Sequence, residues 1–162
     1  MKCKVFGAVI ALSAVLAACD AQVTATDALM PDRMVGILEL IETDPRPITE
    51  QGALRTPLAA PDTVDAGVPF NVTITTIGLD TCWREAGARV ESELRRVTIT
   101  PYDRIDTQAG GCADALVYLP RVVSVVFTQR GVATVRAEGR RGFGYTATRS
   151  SDLAIERPVY VR

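Results

Sequence analysis

Residues 69–77, PFNVTITTI, alternate side chain by side chain: Phe70, Val72 and Ile74 fall in one phase, and Asn71, Thr73 and Thr75 in the other. Period two puts the first set on one face of a strand and the second on the opposite face. The residues are mostly β-branched, and Ala66-Gly67 ahead of them marks a turn. A helix would scatter the same apolar set around its circumference and bury none of it well. This stretch commits its part of the chain to a sheet.

The pattern recurs. RRVTITPY places Val97 and Ile99 inward. RVVSVVFTQRGVATVRAEG reads as a hairpin: Val123, Val125 and Phe127 face the core, Gln129 to Gly131 turn, and Ala133, Val135 and Ala137 return. MVGILELIE, residues 34–42, is apolar on both faces and is expected to be covered on both. FGYTATR and LAIERPVYVR complete the set as late strands, with Pro158 placing the last at an edge or bulge. Residues 85–97 fit two templates. Ala88, Val90, Ser92 and Leu94 make a strand face, with Arg89, Glu91, Glu93 and Arg95 outside, while Ala86, Val90, Leu94 and Val97 make a helix face. The alternating outer charges favour the strand. DTQAGGCADAL reads as a loop. The expectation is an all-β domain of short strands in a single sandwich.

A different logic governs the start of the chain. Lys2 and Lys4 precede an uninterrupted apolar run from Val5 to Ala18, which is too short for a stable membrane span and has the form of a secretory signal peptide. The run ends Leu16-Ala17-Ala18-Cys19. That ending resembles the lipobox of bacterial lipoproteins, in which the cysteine is diacylated and the leader is cut just before it. The resemblance implies a covalent lipid on Cys19; no cofactor is expected otherwise. It also implies a bacterial cell membrane location, with the domain facing the periplasm or the cell exterior. Two acyl chains hold where one is marginal. Asp20 resembles the inner-membrane retention signal of enterobacterial lipoproteins. The expected organisation is a signal peptide over 1–18, a lipidated, polar tether over 19–33 and the domain over 34–162.

Once the leader is removed, arginine is the only basic residue, with 16 positive charges against 19 acids. That balance argues against a nucleic-acid partner. The charge is uneven: Asp20–Asp80 holds ten acids and three arginines, whereas Arg121–Arg162 holds eight arginines and three acids. Such segments either neutralise one another as neighbours in the sheets or leave a basic patch near the C-terminus. The first arrangement is the expectation.

Cys82 and Cys112 remain after Cys3 and Cys19 are accounted for, and an even pair in an exported chain reads as a disulfide. The chain has no histidine, and without lysine in the mature part neither a histidine-based triad nor Ser-Lys catalysis can be assembled. Ser150-Ser151-Asp152 reads as a capped turn. Asp62/Asp65 and Asp103/Asp106 are carboxylate pairs by composition, expected on turns. Two regions suit binding. Arg140-Arg141 runs into Gly142, Phe143, Gly144 and Tyr145, mixing charge, flexibility and aromatics for an anionic or sugar partner. Trp83 and Tyr102 near the bridge suit a ligand platform, although a tryptophan beside a disulfide is more often packing.

LAAPDTVDAGVPFNVTITTIG and, later, VVSVVFTQRGVATVRAEG resemble bacterial immunoglobulin-like or fibronectin-like modules over residues 58–138. In that family a Pro-x-x-Val-x-x-Gly lead runs into a strand, and a strand begun by glycine closes the sheet. Trp83 adjoins Cys82 here, unlike the antibody arrangement, so the bridge is expected to pin a loop rather than cross the core. The resemblance implies adhesion, scaffolding, polymer-binding or spacer roles, and fold does not choose among them. The function expected is a non-enzymatic, lipid-anchored envelope module with a protein or polysaccharide partner. The alternatives are a small enzyme acting on cell-wall or polysaccharide substrates through carboxylates, and an inhibitor or accessory subunit.

Overall fold

The computed structural model describes residues 32–41, 56–143 and 149–162. Among these residues the structure is all-β: β1 (Met34–Val35), β2 (Ile37–Ile41), β3 (Leu58–Ala59), β4 (Thr63–Val64), β5 (Phe70–Gly78), β6 (Trp83–Ser92), β7 (Arg96–Ile105), β8 (Val117–Val125), β9 (Gly131–Phe143) and β10 (Arg149–Val161). Three strands, in the order β3-β5-β8, form one sheet, and the other seven form the second. Val72, Ile74 and Val125 from the smaller sheet, with Phe127 just beyond β8, pack in one cluster with Val97, Ile99, Val135, Ala137 and Val159 from the larger. Burying each of these larger aliphatic or aromatic side chains stabilises the fold by about 1.5–3 kcal/mol. The arrangement is sandwich-like, with the core between the sheets. No helix among the described residues is long and apolar enough to cross a membrane.

The period-two readings hold face by face. Val72, Ile74, Val97, Ile99, Val125, Phe127, Ala133, Val135 and Ala137 are all buried. Residues 85–92 belong to a strand, not a helix: β6 pairs antiparallel with β7, shifting register between Glu85 and Ala88, where Gly87 takes φ +82°. The inward phase stops at Val90, because Glu93 to Arg95 turn between β6 and β7 and leave Leu94 in solvent.

The hairpin expected over 121–139 does not form. β8 pairs with β5 in the small sheet, whereas β9 lies in the large sheet beside β7 and β10. Residues 126–130 therefore cross from one sheet to the other. Alternation reports which face of a strand is apolar, and both sheets present that face to the same core, so it cannot name the partner strand. For the same reason β9, the strand begun by Gly131, is central rather than closing. Ser150-Ser151-Asp152 is no turn either; these residues lie in β10, opposite Gly142, Arg141 and Arg140.

The early apolar segment is covered on both faces at Ile37 and Leu38. Its strand is broken at Gly36. β1 pairs with β7 at Met34–Asp103 and Val35–Tyr102, and β2 runs parallel to β9, so the segment is wedged where β7 and β9 part. Gly36 spans the wedge: its N–H donates to Pro101 O at 2.8 Å and its carbonyl accepts from Arg140 N at 2.9 Å. At the far edge, the Tyr160 N–H reaches Asp62 O at 2.8 Å and the Arg162 N–H reaches Val64 O at 3.0 Å. Pro158 has the same parity, so its missing N–H falls on that edge before β4 arrives, as expected of an edge strand.

Candidate functional site

Where β7 and β9 part, the outer face of the large sheet carries a groove of about 550 Å³ lined by Val35, Arg89, Tyr102, Arg136, Glu138 and Asp152, among others. Outward parity puts these side chains there: Tyr102 lies between the inward Pro101 and Asp103 on β7, and Arg136 and Glu138 flank the buried Ala137 on β9. Arg136 donates to Glu156 Oε1 at 2.8 Å and to Glu138 Oε1 at 2.9 Å. These two carboxylates, Glu156 first, hold the Arg136 guanidinium above its ordinary pKa. The Arg33 guanidinium stacks 4.3 Å from the centre of the Tyr102 ring. The groove is thus polar, of mixed charge, and floored by strand backbone.

Beneath it, between the sheets, lies a charged cluster. Arg121 on β8 donates through Nη1 to Gly87 O at 2.9 Å and also to the Tyr102 carbonyl. Its Nη2 donates to Thr76 Oγ1 at 2.6 Å and to Asp103 Oδ1, which also accepts from the Thr76 hydroxyl at 2.9 Å. Burial pushes the Asp103 carboxyl above its ordinary pKa, against the opposing pull of Arg121 and Thr76. Among the described residues, Asp103 Oδ2 and Arg121 Nε have no hydrogen-bond partner. One guanidinium therefore ties β5, β6, β7 and β8 together, and its fork geometry suits that task.

The predicted site residues scatter. Cys82 and Cys112 form a disulfide with Cα atoms 5.3 Å apart. The bridge fastens the start of β6 to the loop 106–116 and does not cross the core. Trp83 is buried. It also has the inward parity of its register partner Ile105, opposite to that of Tyr102, so the two rings form no common platform. Among the described binding candidates, Tyr102 alone lines the groove. Arg140, Arg141 and Phe143 lie within β9. Arg140 Nε donates to Val35 O at 2.7 Å, and Arg141 Nε to Glu39 Oε2 at 2.7 Å. Tyr145 and Cys19 lie outside the described residues, as do residues 1–31 of the leader and tether.

The carboxylate pairs also separate. Asp62 takes Arg157 at 2.7 Å and Asp65 takes Arg162 at 2.8 Å, whereas Asp103 is buried and Asp106 accepts the Gln108 N–H at 3.2 Å. With Arg141–Glu39, the first two pairs join the acidic early segment to the arginine-rich late one, as expected. Asp80 approaches both bridge sulfurs. Its carboxylate instead accepts the Cys82 N–H at 2.7 Å, and disulfide sulfurs are not thiolate ligands. Composition names Asp103 but pairs it with Asp106 on a turn, and it does not point to Arg121; the signal for both is strand phase, since Arg121 shares the phase of Val123 and Val125, and Asp103 that of Val97 and Ile99. No family model, no curated protein and no solved structure matches this chain.

Proposed function

We propose that this protein is a lipid-anchored component of a bacterial cell envelope, held by acyl chains on Cys19. Its domain would be an immunoglobulin-like sandwich that works as a non-enzymatic binding or scaffolding module. The lipobox-like Leu16-Ala17-Ala18-Cys19 supports the anchor, and the polar stretch after it supports a tether. The two facing sheets, with Val64 buried and Gly67 at φ +76° in the lead to β5, support the immunoglobulin-like reading.

The non-enzymatic reading is carried by one observation. Three of the four candidate acids are committed to ion pairs, Asp62 and Asp65 to arginines across strands and Asp103 to a buried guanidinium, and the fourth, Asp106, accepts a backbone N–H in its own loop. On this reading the groove is the binding surface, with Tyr102 and the Arg89 and Arg136 guanidinia offering a ring and charge to a protein or polysaccharide. Cys19→Ser moves the protein from the detergent-extracted to the salt-washed soluble fraction; retention in the membrane after a high-salt wash contradicts the anchor. Affinity capture from envelope extracts with wild type and Tyr102→Ala tests the groove, and identical recovered partners would remove it from the account.

The same groove supports one alternative. Glu138 and Asp152 both line it, and a pair of carboxylates across a cleft is what glycoside hydrolysis uses. Sugar release from cell-wall polymer that is lost in both Glu138→Gln and Asp152→Asn would favour this enzyme over the binding module.

A further inference from the structure

We infer that the end of the sandwich farthest from the tether is a docking surface for anionic lipid headgroups. Three connections meet there: the turn after β4, the crossover 126–130 and the turn between β6 and β7. The Gly67 N–H donates to the Phe127 carbonyl at 2.8 Å, joining the first two. A Cβ on Gly131 would lie 3.8 Å from the Arg95 guanidinium, joining the second to the third.

Each connection lifts an aliphatic side chain into solvent: Val68 is 53% exposed, Val126 46% and Leu94 68%. Val132 and Tyr160, paired across β9 and β10, continue the apolar surface onto the sheet at 62% and 55% exposure. Water-exposed aliphatics gathered on adjoining turns call for an explanation that single scattered ones do not.

The charge at this end names the occupant. Arg95, Arg96 and Arg130 have no carboxylate partner among the described residues. Of the other arginines, Arg157, Arg162, Arg141, Arg136, Arg121 and Arg89 hold acids, and Arg84 and Arg140 hold backbone carbonyls; Arg104, at the opposite end, also lacks a carboxylate partner among the described residues. Glu93 shares the β6–β7 turn and Asp65 is matched by Arg162, so the surface stays net positive. Protruding aliphatics rimmed by unpaired guanidinia suit the boundary between headgroups and acyl chains, where apolar atoms enter and cations meet phosphate. A protein partner would have to supply a matching acidic pocket for each turn; a lipid surface adapts to all three.

The inference takes from the proposed function only the presence of a membrane nearby. The tether joins at the opposite end, since Met34 pairs with Asp103 at the far end of β7. Residues 20–31 span at most about 40 Å, and β7 is about 33 Å long at ten residues. An anchored domain therefore has enough chain to lay this end on the bilayer.

The test uses the full chain carrying Cys19→Ser, which separates this surface from the acyl anchor. Co-flotation is measured with vesicles of phosphatidylcholine alone and of phosphatidylcholine mixed with phosphatidylglycerol. Binding to the mixed vesicles is expected, weakening as salt is raised. It should fall about tenfold or more in Arg95→Ala/Arg96→Ala/Arg130→Ala and fall likewise in Leu94→Ser/Val126→Ser. Arg104→Ala, an unpaired arginine at the other end, should bind as the parent does. Every variant keeps the same leader, so differences report on the domain, and a thermal melt of each checks that it is folded. Equal binding to both vesicle types, no binding, or a triple variant that binds as well as its parent overturns the inference; no binding would leave this end to a protein. Failure of the anchor itself appears separately, as membrane retention in cells that persists when Cys19→Ser is combined with Arg95→Ala/Arg96→Ala/Arg130→Ala.

Discussion

Arg121 and Asp103 meet between the two sheets, with side chains 4% and 0% exposed. A pair this deep is held by geometry as much as by charge: Thr76, Gly87 and Tyr102 supply the remaining contacts. Removing either partner strands the other in the core. Arg121→Met or Asp103→Leu alone should each cost about 3–5 kcal/mol in urea unfolding. The double variant should cost far less than the two singles together, because no uncompensated charge remains. Additive losses would show that the pair is not coupled.

Gly36 presses against the same cluster. A Cβ there would sit 2.4 Å from Thr76 Cγ2 and 2.8 Å from Asp103 Oδ2. Gly36→Ala should destabilise the fold by about 1–3 kcal/mol. Thr76→Ser removes the methyl in the way but keeps the hydroxyl, so it should recover part of that loss in the double variant. A melting temperature unchanged by Gly36→Ala would mean that the wedge between β7 and β9 has slack.

The Cys82–Cys112 bridge closes a loop of 30 residues. Cys82→Ala/Cys112→Ala should lower stability by about 3–4 kcal/mol in the chain-entropy picture. Because the bridge fastens the loop 106–116 to β6, hydrogen exchange should rise most in that loop. Mass mapping under non-reducing conditions should recover the crosslinked peptide, and free thiols in exported protein would contradict it.

Two carboxylates should leave opposite marks on the pH dependence of stability. The hydrogen bond from Arg162, together with its charge, holds the Asp65 carboxyl below its ordinary pKa. Its contribution is complete above the unfolded value and is lost as pH falls through the folded one. Asp103 is raised by burial, so between its unfolded and folded values the native state binds more protons, and its contribution falls as pH rises through that window. Unfolding titrations of Asp65→Asn and Asp103→Asn against wild type separate the two slopes. Slopes of the same sign would be inconsistent with these environments.

How much of this was legible beforehand varies by residue. In β5 the outward Asn71 and inward Val72 and Ile74 followed from alternation, and Thr76 continues the same phase. Arg121 and Asp103 follow their strands' inward phases just as strictly. A reading that places charge outside by composition overlooks them, because burying charge is costly unless a partner is near. The groove was half visible: Arg89 was expected outside, but nothing local announced that Tyr102, Glu138 and Asp152 would share its surface.

Local sequence was enough to set strand phase, the alternation of faces, an edge or bulge at Pro158 and the pairing of the two domain cysteines. Each of these depends on a residue and its near neighbours, or on counting. Which strands pair, the crossing of residues 126–130 between sheets, the wedging of β1 and β2 between β7 and β9, and the meeting of Arg121 with Asp103 came from the packed fold. Those outcomes depend on contacts between distant segments, and period-two alternation is satisfied equally by every sheet that faces the same core.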